Sequence, residues 1–296
     1  MIVPEYLKPG DNVGIVATAK KVSKGNTVKG IDVLKSWGLN VIPGKSLYDE
    51  FHQFAGSDEQ RLADFQKMID DPGIKAIFIA RGGYGTTRII DAIDFTHFEE
   101  HPKWICGFSD ITALQLHLFN LGISSLHGPM PSFFHSVDQN SLDYLKGYLF
   151  GCKEKYEIET HPLNRPGKVS GKLIGGNLSI ICHTIGTSSE IDTNGNILFI
   201  EDVGEKLYHL DRMMVQLKRA GFLDHLAGLI VGQFSEMEDD KEEFGLDAYE
   251  IVYSHIKAYT YPVAFNFPLG HTKLNYPVHV GVDGLLSVSE RLVELS

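Results

Sequence analysis

Cysteine is scarce in this chain. Its three cysteines among 296 residues, Cys106, Cys152 and Cys182, are too few and too scattered for a disulfide framework or a zinc pattern. Cations are short as well: 27 Lys and Arg stand against 38 Asp and Glu, a formal net charge of −11. That balance disfavours a general binder of nucleic acid or of anionic membranes, although a local basic cluster still leaves room for an acidic small substrate. No run approaches the roughly 18–20 apolar residues that span a bilayer. The opening "MIVPEYLKPGDNVGIVATA" has no basic segment followed by a long apolar core. The histidines show no H-E-x-x-H or other ligand spacing, so neither metal nor cofactor is expected. These absences point to a cytoplasmic protein.

What remains is globular material, 43% hydrophobic and 22% charged, enough for one large domain or two medium ones. The first half alternates β-like runs with helical patterns: strands at 13–18, 40–42, 75–80 and 104–107, helices at 27–37, 57–69 and 86–93. Such alternation predicts a parallel sheet covered by helices, with ligands at the carboxyl ends of its strands. After Leu149 the texture changes. "FGCKEKYEIETHPLNRPGKVSG" is polar and broken by proline and glycine, and reads as a crossing between domains. Short strand candidates follow, with helices around 207–220 and 248–258. The expectation is an α/β chain with a Rossmann-like parallel-sheet domain over 1–150, a linker over 151–168, and a smaller β-rich mixed α/β domain over 169–296.

Within "CGFSDITALQLHLF" (106–119), Gly107 allows a tight turn and Ser109-Asp110 precede an apolar run. Ser109 and Asp110 suit helix capping. They also suit a nucleophile elbow, a strand-to-helix turn that exposes a hydroxyl. "RGGYG" (81–85) begins like a dinucleotide fingerprint but has Arg88 where the last glycine belongs, and no P-loop is present. Its consecutive glycines Gly82 and Gly83 suit half of an oxyanion hole, with the N–H of Asp110 as the other half. In "NILFIEDVGE" Glu201 directly follows an apolar strand, with Asp202 and Glu205 as competing acids. "FPLGHTKLNYPVHVGV" offers His271 in a turn as a base, while His279 alternates with valines like an ordinary strand residue. Ser109, Glu201 and His271 thus occur in the order nucleophile, acid, base. A serine hydroxyl needs such partners, because it is a poor nucleophile until an oriented base takes its proton. The order also fits an α/β-hydrolase, but "GFSDI" lacks the second glycine of G-x-S-x-G.

At these residues, and at "LKPGDNVGIVATA", "RGGYGTTRII", "HGPM" (127–130), "GKLIGGNLSIIC", "LFIEDVGEKLYHLDRMMVQLKRAGF" and "FPLGHT", the sequence resembles the LD-carboxypeptidase family. That family of serine peptidases includes murein tetrapeptide carboxypeptidases and microcin C immunity peptidases. The resemblance implies Ser109 as nucleophile, Glu201 as acid and His271 as base, with Gly82, Gly83 and the Asp110 amide as oxyanion hole. It also implies removal of a terminal D-alanine from murein tetrapeptides during peptidoglycan recycling, and a homodimer. Arg81 is a candidate for holding a substrate carboxylate in a bidentate fork, or for supporting the glycine turn. The family's Pro-Ala-Ser-Pro-like turn is replaced here by "ATAKKVS" (17–23). The compact chain favours the murein role over the alternatives, a microcin C-like peptidyl-nucleotide hydrolase or a non-catalytic ligand-binding protein.

Overall fold

The computed structural model describes residues 1–152 and 155–296. Its elements run β1 (Asn12–Val16), α1 (Lys24–Ser36), β2 (Asn40–Pro43), α2 (Asp58–Asp70), β3 (Ile74–Ile79), α3 (Thr96–Glu100), β4 (Trp104–Gly107), α4 (Thr112–Asn120), β5 (Ser125–His127) and α5 (Gln139–Leu149). Then follow β6 (Tyr156–Glu159), β7 (Gly167–Asn177), α6 (Leu178–Thr184), β8 (Ile197–Val203), α7 (Leu207–Arg219), β9 (Gly228–Ser235) and α8 (Ala248–Ile256). The chain finishes with β10 (Val263–Ala264), β11 (Val278–Val280), β12 (Asp283–Val288) and β13 (Leu292–Leu295).

Local chemistry accounts for several boundaries. Ser57 caps α2 in a capping box with Gln60, and Asp247 does the same for α8 with Glu250, which satisfies backbone N–H groups that a helix start leaves open. Period-two alternation splits β3 between two cores. Ala76 and Phe78 pack on one face with Ile15 and Trp104, while Ile77 and Ile79 pack on the other with Phe65 and Ile105. Each such aliphatic side chain contributes roughly 1.5–3 kcal/mol on full burial.

The first sheet has the order β11-β5-β4-β3-β1-β2. Its strands are parallel except β11, which runs antiparallel to β5. The second sheet has the order β10-β9-β8-β7-β12-β13-β6, with β7 to β10 parallel and the other three antiparallel. Helix α4 lies between the sheets: Leu114 and Leu118 pack into the first sheet's core, and Leu116 packs into the core of the second. A helix buried on nearly every side reads as apolar all round.

Three expectations need correction. Residues 86–93 form two short 3-10 turns, Thr86–Arg88 and Ile90–Ala92, instead of a helix. Thr86, Thr87, Ile89 and Ile90 are β-branched, and the Thr86 N–H bonds to the Asp110 carboxylate at 2.9 Å, so the segment stays pinned to its neighbour. The polar crossing at 151–168 contains β6 and the start of β7; Tyr156 is its buried anchor, paired with Leu295 in β13. Lys153 and Glu154 of that crossing lie outside the described residues. Finally, β11 comes from the C-terminal half yet completes the first sheet, with His279 beside Trp104 at 4.9 Å between ring centres. Among the described residues, no helix is long and apolar enough to cross a membrane.

Candidate active site

Strand β4 ends at Gly107, and the chain turns at once into Ser109–Ile111 and α4. Ser109 has φ +65°. A non-glycine residue in the left-handed region costs on the order of 1–3 kcal/mol and persists only where its surroundings impose it. Here they do. The Gly107 carbonyl accepts from Gln115 Nε2 and from the Gly128 N–H, both at 3.0 Å, and the Ile111 N–H returns to the Phe108 carbonyl at 3.3 Å. Neither Ser109 nor Asp110 makes a side-chain cap bond to the helix. The hydroxyl is therefore not consumed by capping.

Beside the elbow runs the turn after β3. Gly82 approaches it so closely that a Cβ there would lie 3.2 Å from Ser109 Cβ and 3.4 Å from the Asp110 nitrogen. Gly83 has φ +111°, which glycine tolerates best. Buried Asp110 ties the two turns together through its bond to the Thr86 N–H. Sequence reasoning valued Asp110 for its amide and missed this role of its carboxylate. It also missed Arg61, a buried guanidinium that donates to the Thr18 and Gly85 carbonyls and pairs with Asp58. Arg81 donates Nη1 to the Lys21 carbonyl at 3.2 Å, so it supports the loop after β1 and still reaches the cavity.

The second sheet supplies the other wall. Glu201, fully buried on β8, accepts from His271 Nδ1 at 2.7 Å. A carboxylate accepts only, so this bond places the proton on Nδ1 and leaves Nε2 with its lone pair. Burial opposes protonation of His271, but the Glu201 charge and hydrogen bond, with smaller contributions from Asp202 and Glu236, outweigh it. The net effect holds its pKa above the ordinary histidine value. The His271 ring lies 4.7 Å from that of Phe108, the residue before Ser109. Ser109, His271, Gly82, Gly83 and Arg81 line one cavity of about 900 Å³.

The competing acids point elsewhere. Glu205 pairs with His209. Asp202 accepts from Asn177 Nδ2 at 2.8 Å and from the Ser179 and Val203 N–H groups, both at 2.9 Å. Burial and the neighbouring Glu201 charge push it up to about 7 against those three donors, which favour its ionised form. The Asn177 N–H in turn bonds to Thr112 Oγ1 at 3.0 Å, where α4 begins. Gly176 brings β7 close enough for this, since a Cβ there would lie 2.4 Å from Thr112 Oγ1. Asp202, Asn177 and Thr112 thus form a buried polar bridge between the acid strand and the elbow helix. The glycine pair before Asn177 in "IGGNLS" was the available signal for it. His127, at the end of β5, lies against Phe108 and Phe199, and burial pushes it down to about 4. It is neutral near pH 7. Cys106 is buried in β4, which raises its thiol pKa.

A serine on a strained strand-to-helix turn, beside a glycine turn and a carboxylate-oriented histidine, defines a serine hydrolase site. The chain matches the model of the LD-carboxypeptidase N-terminal domain over residues 13–128 and that of the C-terminal domain over 170–286, and it belongs to the LD-carboxypeptidase family. It is a serine-type carboxypeptidase by that membership. It is 37% identical over 294 residues to the Bacillus subtilis protein named "probable murein peptide carboxypeptidase", covering 97% of this chain and 92% of that one. Identity is 27% to the Pseudomonas aeruginosa murein tetrapeptide carboxypeptidase, over 89% of each chain. The crystal structure of muramoyltetrapeptide carboxypeptidase from Oxalobacter formigenes superposes with a TM-score of 0.86 at 29% identity, covering 96% of this chain and 97% of that one. The microcin C7 self-immunity protein superposes at 0.89 over 100% of this chain and 98% of that one, but at 21% identity this likeness concerns the fold alone.

Proposed function

We propose that this carboxypeptidase removes the terminal D-alanine from murein tetrapeptides of the form L-Ala-γ-D-Glu-diamino acid-D-Ala, in the cytoplasm, during peptidoglycan recycling. His271 Nε2 takes the proton of Ser109, and Oγ attacks the carbonyl of the diamino acid. The oxyanion is met by backbone N–H groups at Gly82–Gly83 and Asp110, while Glu201 holds the imidazolium that forms. His271 then returns the proton to the departing D-alanine amine, and water releases the tripeptide from Ser109. Arg81 receives a substrate carboxylate. The nucleophile belongs to the domain built on the first sheet and the acid and base to the domain built on the second, with β11 crossing back to complete the first. A homodimer is part of this reading, and light scattering tests it.

The observation that carries the assignment is the meeting of strained Ser109 with the His271–Glu201 pair in one cavity. The Ser109 hydroxyl makes no hydrogen bond to His271 in this structure; such catalytic bonds often tighten only around substrate. Ser109→Ala is expected to keep the fold and lower kcat by about 10³-fold or more. Mass spectrometry of D-alanine release from a muropeptide panel measures this. Near-normal turnover by the folded variant would refute the nucleophile, and cleavage at another bond would refute the substrate reading.

A further inference from the structure

Among the described residues, four non-glycine residues have positive φ: His52, Ser109, Glu236 and Asn266. Two of them, Ser109 and Glu236, line the same cavity. Glu236 directly follows β9, at φ +54°. Its position is imposed from both sides. The preceding Ser235 accepts the Gly204 N–H at 3.0 Å through its carbonyl and donates its hydroxyl to the His271 carbonyl at 3.3 Å. Two residues on, Glu238 donates its N–H to the Glu205 carbonyl at 3.0 Å and accepts the Leu207 N–H at 3.0 Å. The backbone thus spends strain to set a carboxylate in the cavity wall beside the base.

The other charged side chains lining the cavity, from both walls, are cationic. Lys20, Arg81 and Lys273 line the cavity, and Glu236 is the one carboxylate among its lining residues. None of these four makes an ion pair among the described residues, and the Glu236 carboxylate has no hydrogen-bond donor there. An unpaired anion amid three cations needs a cationic ligand if it is to add to binding. A murein tetrapeptide presents carboxylates at D-glutamate and at the terminal D-alanine, which suit the cations. Near the scissile bond its one cation is the side-chain ammonium of the third residue, the diamino acid whose carbonyl is attacked.

We propose that Glu236 is a specificity-determining residue that binds this free side-chain ammonium. The inference rests on the murein tetrapeptide reading above. An ammonium–carboxylate contact is charge-assisted, and a neutral third residue would leave Glu236 desolvated without a partner, so the site selects against it. Glu236 also contributes to the raised pKa of His271, and the test has to separate the two effects.

The peptides are L-Ala-γ-D-Glu-L-Lys-D-Ala and the same peptide with the lysine ammonium acetylated. Their binding is measured calorimetrically on the full chain carrying Ser109→Ala, with and without Glu236→Gln. Acetylation is expected to weaken binding roughly tenfold or more when Glu236 is present, and less than about twofold in Glu236→Gln. Equal losses in both backgrounds would overturn the proposal. In the Ser109-containing enzyme, Glu236→Gln is expected to raise KM for the lysine peptide and spare the acetylated one. A variant that only moved the acid limb of the pH profile, equally for both peptides, would also overturn it. Ammonium-dependent binding without turnover would support Glu236 and count against the catalytic assignment of Ser109.

Discussion

The two walls of the cavity position their chemistry by different means. On the first sheet, Ser109 is held by backbone: a left-handed φ, the close approach of Gly82 and hydrogen bonds to the flanking Gly107 and Phe108 carbonyls. On the second, His271 sits on a loop between β10 and β11, partly open to the cavity, and is held by one buried charge, Glu201. Packing fixes the proposed nucleophile and electrostatics fixes the proposed base. Substitutions on the first wall should act through geometry, and those on the second through charge and pH.

The sharpest test lies on the second wall. Glu201→Gln keeps the shape but removes the charge that orients His271, and its amide can favour the wrong tautomer. We expect kcat to fall about 10³- to 10⁴-fold with little change in KM, measured by steady-state D-alanine release. The adjacent Asp202→Asn should retain most activity, because Asp202 bonds to the α6 start and not to His271. The opposite ranking would mean the wrong acid had been assigned.

On the first wall, Gly82→Ala places a methyl 3.2 Å from Ser109 Cβ. It should lower kcat by roughly 10²-fold through displacement of the elbow, without moving the pH profile. A shifted profile with unchanged plateau activity would contradict the division between the walls. Between them, Thr112→Val removes the acceptor of the buried Asn177 N–H and should cost about 1–3 kcal/mol of stability in denaturant unfolding. An unchanged midpoint would show that the bridge adds nothing.

The smallest effect is in pH. His271 must be neutral to act as base, and its pKa is held above the ordinary value, so the acid limb of kcat/KM should lie above about 6.5. In Glu201→Gln, burial is opposed only by the smaller contributions of Asp202 and Glu236, so any residual activity should have its limb below that of the unaltered enzyme. Stability runs the other way. A histidine whose folded pKa is raised stabilises the fold fully below its unfolded pKa, and this contribution is lost as pH rises through the folded pKa. Activity should therefore rise with pH while the stability supplied by this pair declines, which calorimetric melting from pH 5 to 8 would follow.

Much of this was legible in local sequence. Ser57 and the apolar period behind it announced α2, and "KAIFIA" announced β3. The residues of the site were legible as types at the ends of elements. Their relation was not, because it depends on contacts between residues far apart in the chain. Asn177 caps α6, a helix in a stretch that reads as a strand, and nothing local shows that its backbone N–H reaches Thr112. Segment 86–93 misled because apolar spacing resembles a helix while β-branching and a distant carboxylate decide otherwise. Strand β6 was hidden because only Tyr156 in it is fully buried.

Strand β11 bears on how the chain is made. Val278–Val280 hydrogen-bond to β5 at the edge of the first sheet, yet they leave the ribosome long after β5 does. Until then the nascent first half carries an open strand edge, the kind of surface that pairs with other chains. Release of the chain before residue 278 should leave that edge exposed and the product prone to aggregate. The same strand directly follows the loop that carries His271, so the first sheet is sealed by the segment that delivers the proposed base.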